Sequence, residues 1–271
     1  MAELVFVKLG GSVITDKQRP FTARVDVIAR LGQEIKAALA ERAELQLIVG
    51  HGSGSFGHAV AQQYRTHQGH LGPGSWQGFA QTANAAARLN QVVTETLLER
   101  GVPVVSFPPS ASALCRHGEL VALELEPVQR VLAAGLVPLV YGDVAVDEAQ
   151  GFTIVSTEQI FGYLAHRLQP SRIILAGMVD GVYNADPLTH PEAARYPVIT
   201  PASWPAIRGA LGGSFATDVT GGMLTKVRAM IELVSAQPTL EVQIVSGALP
   251  GRVAAALSGS PAEAGSLIRS I

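Results

Sequence analysis

The sequence predicts an α/β protein with a mostly parallel central sheet, and three observations carry that prediction. Short runs of nearly continuous aliphatic residues, at 4–7, 45–49, 102–105, 136–141, 173–175 and 242–245, suit strands covered on both faces. Longer amphipathic stretches, at 25–40, 77–100, 127–134, 157–167 and 224–236, lie between them, and this alternation is the signature of a parallel sheet. Of the 271 residues, 48% are hydrophobic and 15% charged, which supplies a large core and excludes a disordered or fibrous chain.

Taken in order, the first strand meets Lys8 too early for a signal h-region or a membrane span. In the helix that follows, Val25, Ile28, Leu31, Ile35 and Leu39 recur at spacings of three or four and form a stripe that would lie on the sheet. No repeat or charge block divides the chain, so a single domain over 1–271 is expected. Its best seam is DEAQG at 147–151, read as a hairpin or an inter-lobe connection. Four prolines, Pro187, Pro191, Pro197 and Pro201, make 184–204 an ordered loop and not a helix.

Composition narrows the function. Lys+Arg 20 against Asp+Glu 22 gives a net charge of -2, with no basic stripe to mark a nucleic-acid partner. The single cysteine, Cys115, can form neither an internal disulfide nor a zinc cluster and reads as a small buried residue of a soluble, cytoplasmic protein.

Ligands of open α/β sheets sit beyond the carboxyl ends of the strands. Loops there are glycine-rich at 8–12 (KLGGS) and 50–58 (GHGSGSFGH), and a third, 220–226 (TGGMLTK), opens a helix. Glycines let backbone N–H groups approach an anion closely, so these loops read as phosphate cradles. The Walker pattern is missing, and no acidic ribose ligand follows 52–57, which disfavours a Rossmann dehydrogenase. Phosphoryl transfer needs positive charge around the moving group. Of the lysines, Lys8, Lys17 and Lys226 lie in or beside these loops, whereas Lys36 sits mid-helix as a surface charge. His58 closes the second loop beside an expected helix start and could donate to an acceptor phosphate. The other histidines, His51 among them, read as surface or capping residues.

Together the segments 8–17 (KLGGSVITDK), 50–58, 142–144 (GDV), 180–187 (DGVYNADP) and 220–226 resemble the amino acid kinase superfamily and, within it, the isopentenyl phosphate kinase branch. The resemblance runs along essentially the whole chain in family order. It implies an open αβα sandwich, with an acceptor lobe over 1–150 and an ATP lobe over 151–271. It further implies ATP as donor, Mg²⁺ as cofactor, isopentenyl phosphate as acceptor, and a homodimer, while the charge balance and the lack of a long apolar stretch argue against a nucleic-acid or membrane partner.

By resemblance, Lys8, Lys17, Lys226 and His58 are the catalytic set. Lys8, Lys17 and Lys226 would hold the ATP phosphates, with Gly10, Gly11, Ser12, Gly221 and Gly222 presenting backbone around them. Asp180, Gly181, Val182, Tyr183, Asp186 and Pro187 would line the nucleoside pocket. Ser53, Gly54, Ser55 and His58 would cradle the acceptor phosphate, bordered by Asp143 and Val144. No protein metal ligand is implied. Two departures stand out: Glu158 replaces the aspartate that orders the lysines in relatives, and Ser53 replaces a common glycine, which requires an ordinary φ there.

A phosphate monoester has its second pKa at about 6, so the acceptor is already largely dianionic near neutral pH and needs no general base. Positioning and charge neutralisation are then the whole of the catalysis, which matches a signature of lysines, glycines and one histidine. Walls for an alkenyl tail are expected at 74–82, with Trp76 and Phe79, and at 105–114. The alternatives are a fosfomycin kinase-like enzyme and a nucleotide- or oxyanion-binding protein without turnover.

Overall fold

A computed structural model describes residues 3–211, 222–259 and 265–271. In chain order the elements are β1 (Glu3–Leu9), α1 (Gly11–Ile14), α2 (Val25–Glu41), β2 (Leu45–His51), α3 (Gly54–Tyr64), α4 (Ser75–Glu99) and β3 (Val104–Ser106). Then come β4 (Leu114–Arg116), β5 (Glu119–Ala122), α5 (Glu126–Ala133), β6 (Val137–Tyr141), β7 (Asp143–Asp147), β8 (Gly151–Val155) and α6 (Thr157–Leu168). The rest is β9 (Arg172–Gly177), β10 (Val182–Tyr183), β11 (Arg195–Tyr196), β12 (Val198–Ile199), α7 (Trp204–Leu211), α8 (Gly222–Ala236), β13 (Glu241–Ser246), α9 (Arg252–Ser258) and β14 (Ser266–Ile268).

The main sheet has the order β12-β14-β13-β9-β1-β2-β6-β3, and every pairing in it is parallel except β13 with β14. Alternation along each strand divides the apolar residues between two cores. On β1, Phe6 joins the core that contains Phe161 and Leu164 of α6 and Val234 of α8. Val5 and Val7 point the other way, into the core of Ile28, Leu31 and Ile35 from α2, Leu89 and Val93 from α4, and Val253 from α9. Helices thus cover both faces, as the apolar runs of β1, β2, β6, β9 and β13 require.

The seam at 147–151 is the β7–β8 hairpin, with Asp147 paired to Gly151. Asp147 closes it by accepting backbone N–H groups from His117, Gly118, Ala149 and Gln150. The proline-rich stretch holds the two-residue strands β11 and β12 and ends where α7 begins at Trp204. The second glycine loop differs from expectation: only 52–53 are irregular, and helix α3 begins at Gly54, so His58 lies inside a helix. Among the described residues no helix is long and apolar enough to cross a membrane.

Candidate active site

Lys8 shares the face of Phe6, and that face is covered by α6 through the Phe6–Phe161 ring contact at 5.1 Å. Helix α6 starts where the sequence reads STEQ. The Ser156 hydroxyl accepts the Gln159 N–H at 3.1 Å, and the Gln159 side chain accepts the Ser156 N–H at 2.9 Å. This reciprocal cap puts Glu158 in the first turn, where the helix dipole favours a carboxylate.

Glu158 pairs with the Lys8 ammonium and, at 4.0 Å, with the ammonium of Lys226 from α8. The three side chains are only 12%, 15% and 28% exposed for Lys8, Glu158 and Lys226. Burial raises the Glu158 pKa, but the charges of Lys8 and Lys226 and the Lys8 hydrogen bond outweigh it and hold the carboxyl at about 2. One fixed anion therefore holds two cations at the carboxyl end of β1.

The first two glycine loops meet beside this cluster. The Gly10 N–H donates to the Ala176 carbonyl at 2.8 Å, and the Gly52 N–H to that of Leu9 at 3.2 Å, tying each loop to a strand end. A Cβ on Gly11 would stand 2.7 Å from the Gly54 nitrogen, so the two backbones touch and admit no side chain between them. Gly54 has φ +50, and the Thr15 side chain occupies the place where its Cβ would go. The Thr15 hydroxyl accepts the Ser55 N–H at 3.0 Å and donates to the Gly11 carbonyl at 2.6 Å.

What remains open in these loops is a set of donors. Among the described residues the N–H groups of Gly11, Ser12, Ser53 and Gly54 have no protein acceptor. The buried Ser55 hydroxyl has no hydrogen-bond partner either. Ser53 adopts φ -70 and ψ -9, a conformation open to any residue, so glycine is not required there. His58 is partly exposed on α3, following the Ser53–Gly57 turn.

Other residues singled out in the sequence lie around this centre. Asp143 is 2% exposed at the start of β7, where burial raises its pKa and the N–H groups of Ser110 and Val144 offset this in part. Val144 is fully buried. The Asp180 carboxylate accepts the Ser246 N–H at 2.9 Å and pairs with Arg252 at 3.3 Å and Arg195 at 3.6 Å. Gly181 has φ +118 against Ser266, whose hydroxyl accepts the Val182 N–H at 2.8 Å. The Tyr183 hydroxyl donates to the Asp180 carbonyl at 3.3 Å. Asp186 accepts the Leu188 N–H at 3.0 Å and, with Pro187, forms the turn that follows β10. Gly222 opens α8, while Gly221 lies outside the described residues.

Lys17 is exposed on the 16–22 loop, which the Thr15–Ala23 bridge and the Asp16 N–H to Thr22 carbonyl bond close. Phe21 anchors this loop. Its ring meets Phe56 of α3 edge-on at 5.7 Å, and the Arg88 guanidinium of α4 lies 5.3 Å from its centroid. Sequence reasoning missed both Phe21 and His51. The structure buries His51 fully, in contrast to the surface or capping role expected for it. Its signal was in the chain: Leu47, Val49 and His51 continue the period-two pattern of β2.

Comparison with known proteins bears on the family and the fold. Residues 3–246 match the amino acid kinase family model. The chain is 37% identical over 264 residues to isopentenyl phosphate kinase of Methanothermobacter thermautotrophicus, covering 94% of this chain and 96% of that protein. It is 36% identical over 231 residues to that of Haloferax volcanii, covering 85% and 88%. A solved isopentenyl phosphate kinase structure superposes with a TM-score of 0.82 at 33% identity, covering 98% of this chain and 99% of the other. The product complex of the Thermoplasma acidophilum kinase gives 0.78 at 28% identity, covering 98% and 100%. With that match to the family model and the sandwich that carries it, the chain belongs to the amino acid kinase family.

Proposed function

We infer that this protein transfers the γ-phosphoryl group of ATP to isopentenyl phosphate, giving isopentenyl diphosphate and ADP. The observation that carries the reading is the Lys8–Glu158–Lys226 cluster set beside two interlocked glycine loops with unused donors. Two phosphoryl groups must be brought together, and two anion cradles in backbone contact do that.

In this reading Lys8 and Lys226 neutralise the transferred group and the β,γ end of the nucleotide, and Glu158 holds both ammonium groups in place. The N–H groups of Gly11 and Ser12 face the donor. Those of Ser53 and Gly54, the Ser55 hydroxyl and His58 hold the acceptor phosphate, whose own oxygen attacks in line. Asp143 and Val144 border this subsite, while Asp180 braces the ATP lobe through Arg195, Arg252 and Ser246. The lobes divide at the β7–β8 hairpin.

Among the described residues no three His, Cys, Asp or Glu side chains stand together as a metal site. In this reading Mg²⁺ would be carried on the nucleotide phosphates, where it would supply further charge neutralisation. For the alkenyl tail, Trp76, Phe79 and Phe152 form an aromatic group in which Trp76, itself 47% exposed, lies 5.4 Å from Phe79 and 5.0 Å from Phe152. The reading includes a homodimer, which sedimentation would test, and a reducing, cytoplasmic setting that suits the lone buried thiol of Cys115, raised by burial to about 11.

The decisive assay follows ADP release with Mg-ATP across isopentenyl phosphate, dimethylallyl phosphate, fosfomycin, acetylglutamate and UMP. Turnover preferring the first two is expected; preference for a later acceptor, or ATP binding without turnover, overturns the reading. His58→Ala is expected to raise KM for isopentenyl phosphate about tenfold or more, with ATP affinity nearly unchanged, since a charge-assisted hydrogen bond is worth roughly 1.5–3 kcal/mol. Collapse of ATP binding instead would reverse the lobe assignment. Phe21→Ala should release the Lys17 loop and raise KM for ATP by about three- to tenfold, in keeping with an aromatic contact of ~1 kcal/mol. An unchanged ATP KM would remove Lys17 from the nucleotide site.

A further inference from the structure

The His51 ring is fully buried at the end of β2 and stacks on Tyr141, with centroids 5.4 Å apart and planes 9° from parallel. Its Nδ1 lies 3.1 Å from the Gly52 carbonyl oxygen and its Nε2 3.1 Å from Asn90 Oδ1. The Asn90 Nδ2 in turn lies 2.7 Å from the Ser106 hydroxyl. A carbonyl oxygen only accepts, so the Nδ1 contact requires a proton on Nδ1.

If Nε2 were protonated as well, to serve Asn90 Oδ1, the ring would be a cation. Burial disfavours that cation, the Lys8 charge repels it, and together they hold the His51 pKa below its ordinary value against the hydrogen bonds to Gly52 and Asn90. A neutral Nδ1–H ring must accept at Nε2. It does so when the Asn90 amide is turned about its terminal bond, so that its NH₂ faces His51 and its oxygen receives the Ser106 hydroxyl proton. Amide oxygen and nitrogen exchange places in that turn with almost no change of shape. The result is a directional chain, Ser106 to Asn90 to His51 to the Gly52 carbonyl, with each donor meeting an acceptor.

We propose that His51 is a positioning residue for the acceptor phosphate, a neutral Nδ1–H imidazole that fixes the Gly52 carbonyl and thereby aims the Ser53 N–H. In a trans peptide the carbonyl and the following N–H point opposite ways, so holding Gly52 O against the buried ring turns the Ser53 N–H away from it. The His51 backbone extends the bracing. Its carbonyl accepts the Gly142 N–H at 3.0 Å and the Thr157 hydroxyl at 2.7 Å, next to Glu158. The proposal rests on the reading of 53–58 as the acceptor loop, and it adds the residue that sets the orientation of that loop.

Three variants test it. Asn in place of His51 keeps an amide donor where Nδ1 stands; Gln moves the amide toward the Nε2 position and loses the bond to Gly52; Phe keeps the stack on Tyr141 and loses both bonds. Folded His51→Phe and His51→Gln are expected to raise KM for isopentenyl phosphate by about tenfold or more while KM for ATP stays within about twofold, and His51→Asn should recover most of the loss. Equal changes in both KM values, or no rescue by Asn relative to Phe, overturn the proposal. If the wild type prefers another acceptor, the function reading fails, and the same ratios taken with that acceptor still decide the role of His51. In ¹⁵N-histidine-labelled wild type, His51 should show Nδ1 protonated and Nε2 as an unprotonated hydrogen-bond acceptor. A doubly protonated or Nε2–H ring overturns the proposal whatever the protein phosphorylates.

Discussion

Lys8→Met is expected to lower kcat by about 10²–10³-fold, the loss typical of removing one preorganised charge from a developing anionic transition state. Lys8 is the right residue for so large an effect because it is held before substrate arrives. It sits on a central strand with parallel partners on both sides, Gly50 in β2 and Leu175 in β9, and its ammonium is paired with Glu158. A cation so fixed costs no reorganisation when charge moves onto the phosphoryl oxygens. KM for either substrate should change much less than kcat, because a methionine of similar length preserves the packing of the strand. Rapid-quench measurement of the chemical step separates the two; an intact single-turnover rate in the folded variant would remove Lys8 from the reaction centre.

Glu158→Gln is expected to cost about 10²-fold in kcat/KM and to change the pH dependence of stability. The glutamine has nearly the same shape but no charge, so Lys8 and Lys226 would repel one another across a partly buried site. Glu158→Asp should recover part of the activity, since the anion remains. The folded pKa of about 2 lies below the ordinary 4.5, so the carboxylate stabilises the fold above pH 4.5, and that contribution is lost as pH falls from 4.5 toward 2. The full contribution is on the order of 3 kcal/mol. Urea unfolding of wild type and Glu158→Gln should therefore differ most near neutral pH, and the gap should narrow by about 1 kcal/mol by pH ~3.5. A gap that does not move with pH would mean that Glu158 is not held by its lysines.

Much of the fold was legible in the chain. The aliphatic runs at 4–7, 45–49, 136–141, 173–175 and 242–245 all became strands of the main sheet, because a strand buried on both faces needs apolar residues at consecutive positions. The small mixed sheet formed by β5, β4, β7 and β8 was not legible as a unit. Its strands are short, and β4 joins β7 through a parallel pairing across a long stretch of chain. Nor did local pattern show that helix α3 starts within the glycine loop. Gly54 reads as a loop residue, and it is the contact with Thr15 and Gly11 that sets it at the head of a helix.

The sequence by itself determined the parts of the site that depend on local chain geometry: Lys8 on a buried strand, glycines after β1 and β2, and the STEQ cap that fixes the start of α6. Tertiary structure decided the partners. Lys8, Glu158 and Lys226 come from three distant elements, and only the packing of α6 and α8 on one face of the sheet brings the two ammonium groups to one carboxylate. His51 shows the same division. Alternation along β2 puts it on the face of Leu47 and Val49, but whether a buried histidine there is a strained intruder or a hydrogen-bonded support depends on Asn90 and Ser106. Those two residues reach it because β3 pairs with β6 at the edge of the main sheet and α4 packs on the face of that sheet, an arrangement that no local periodicity encodes.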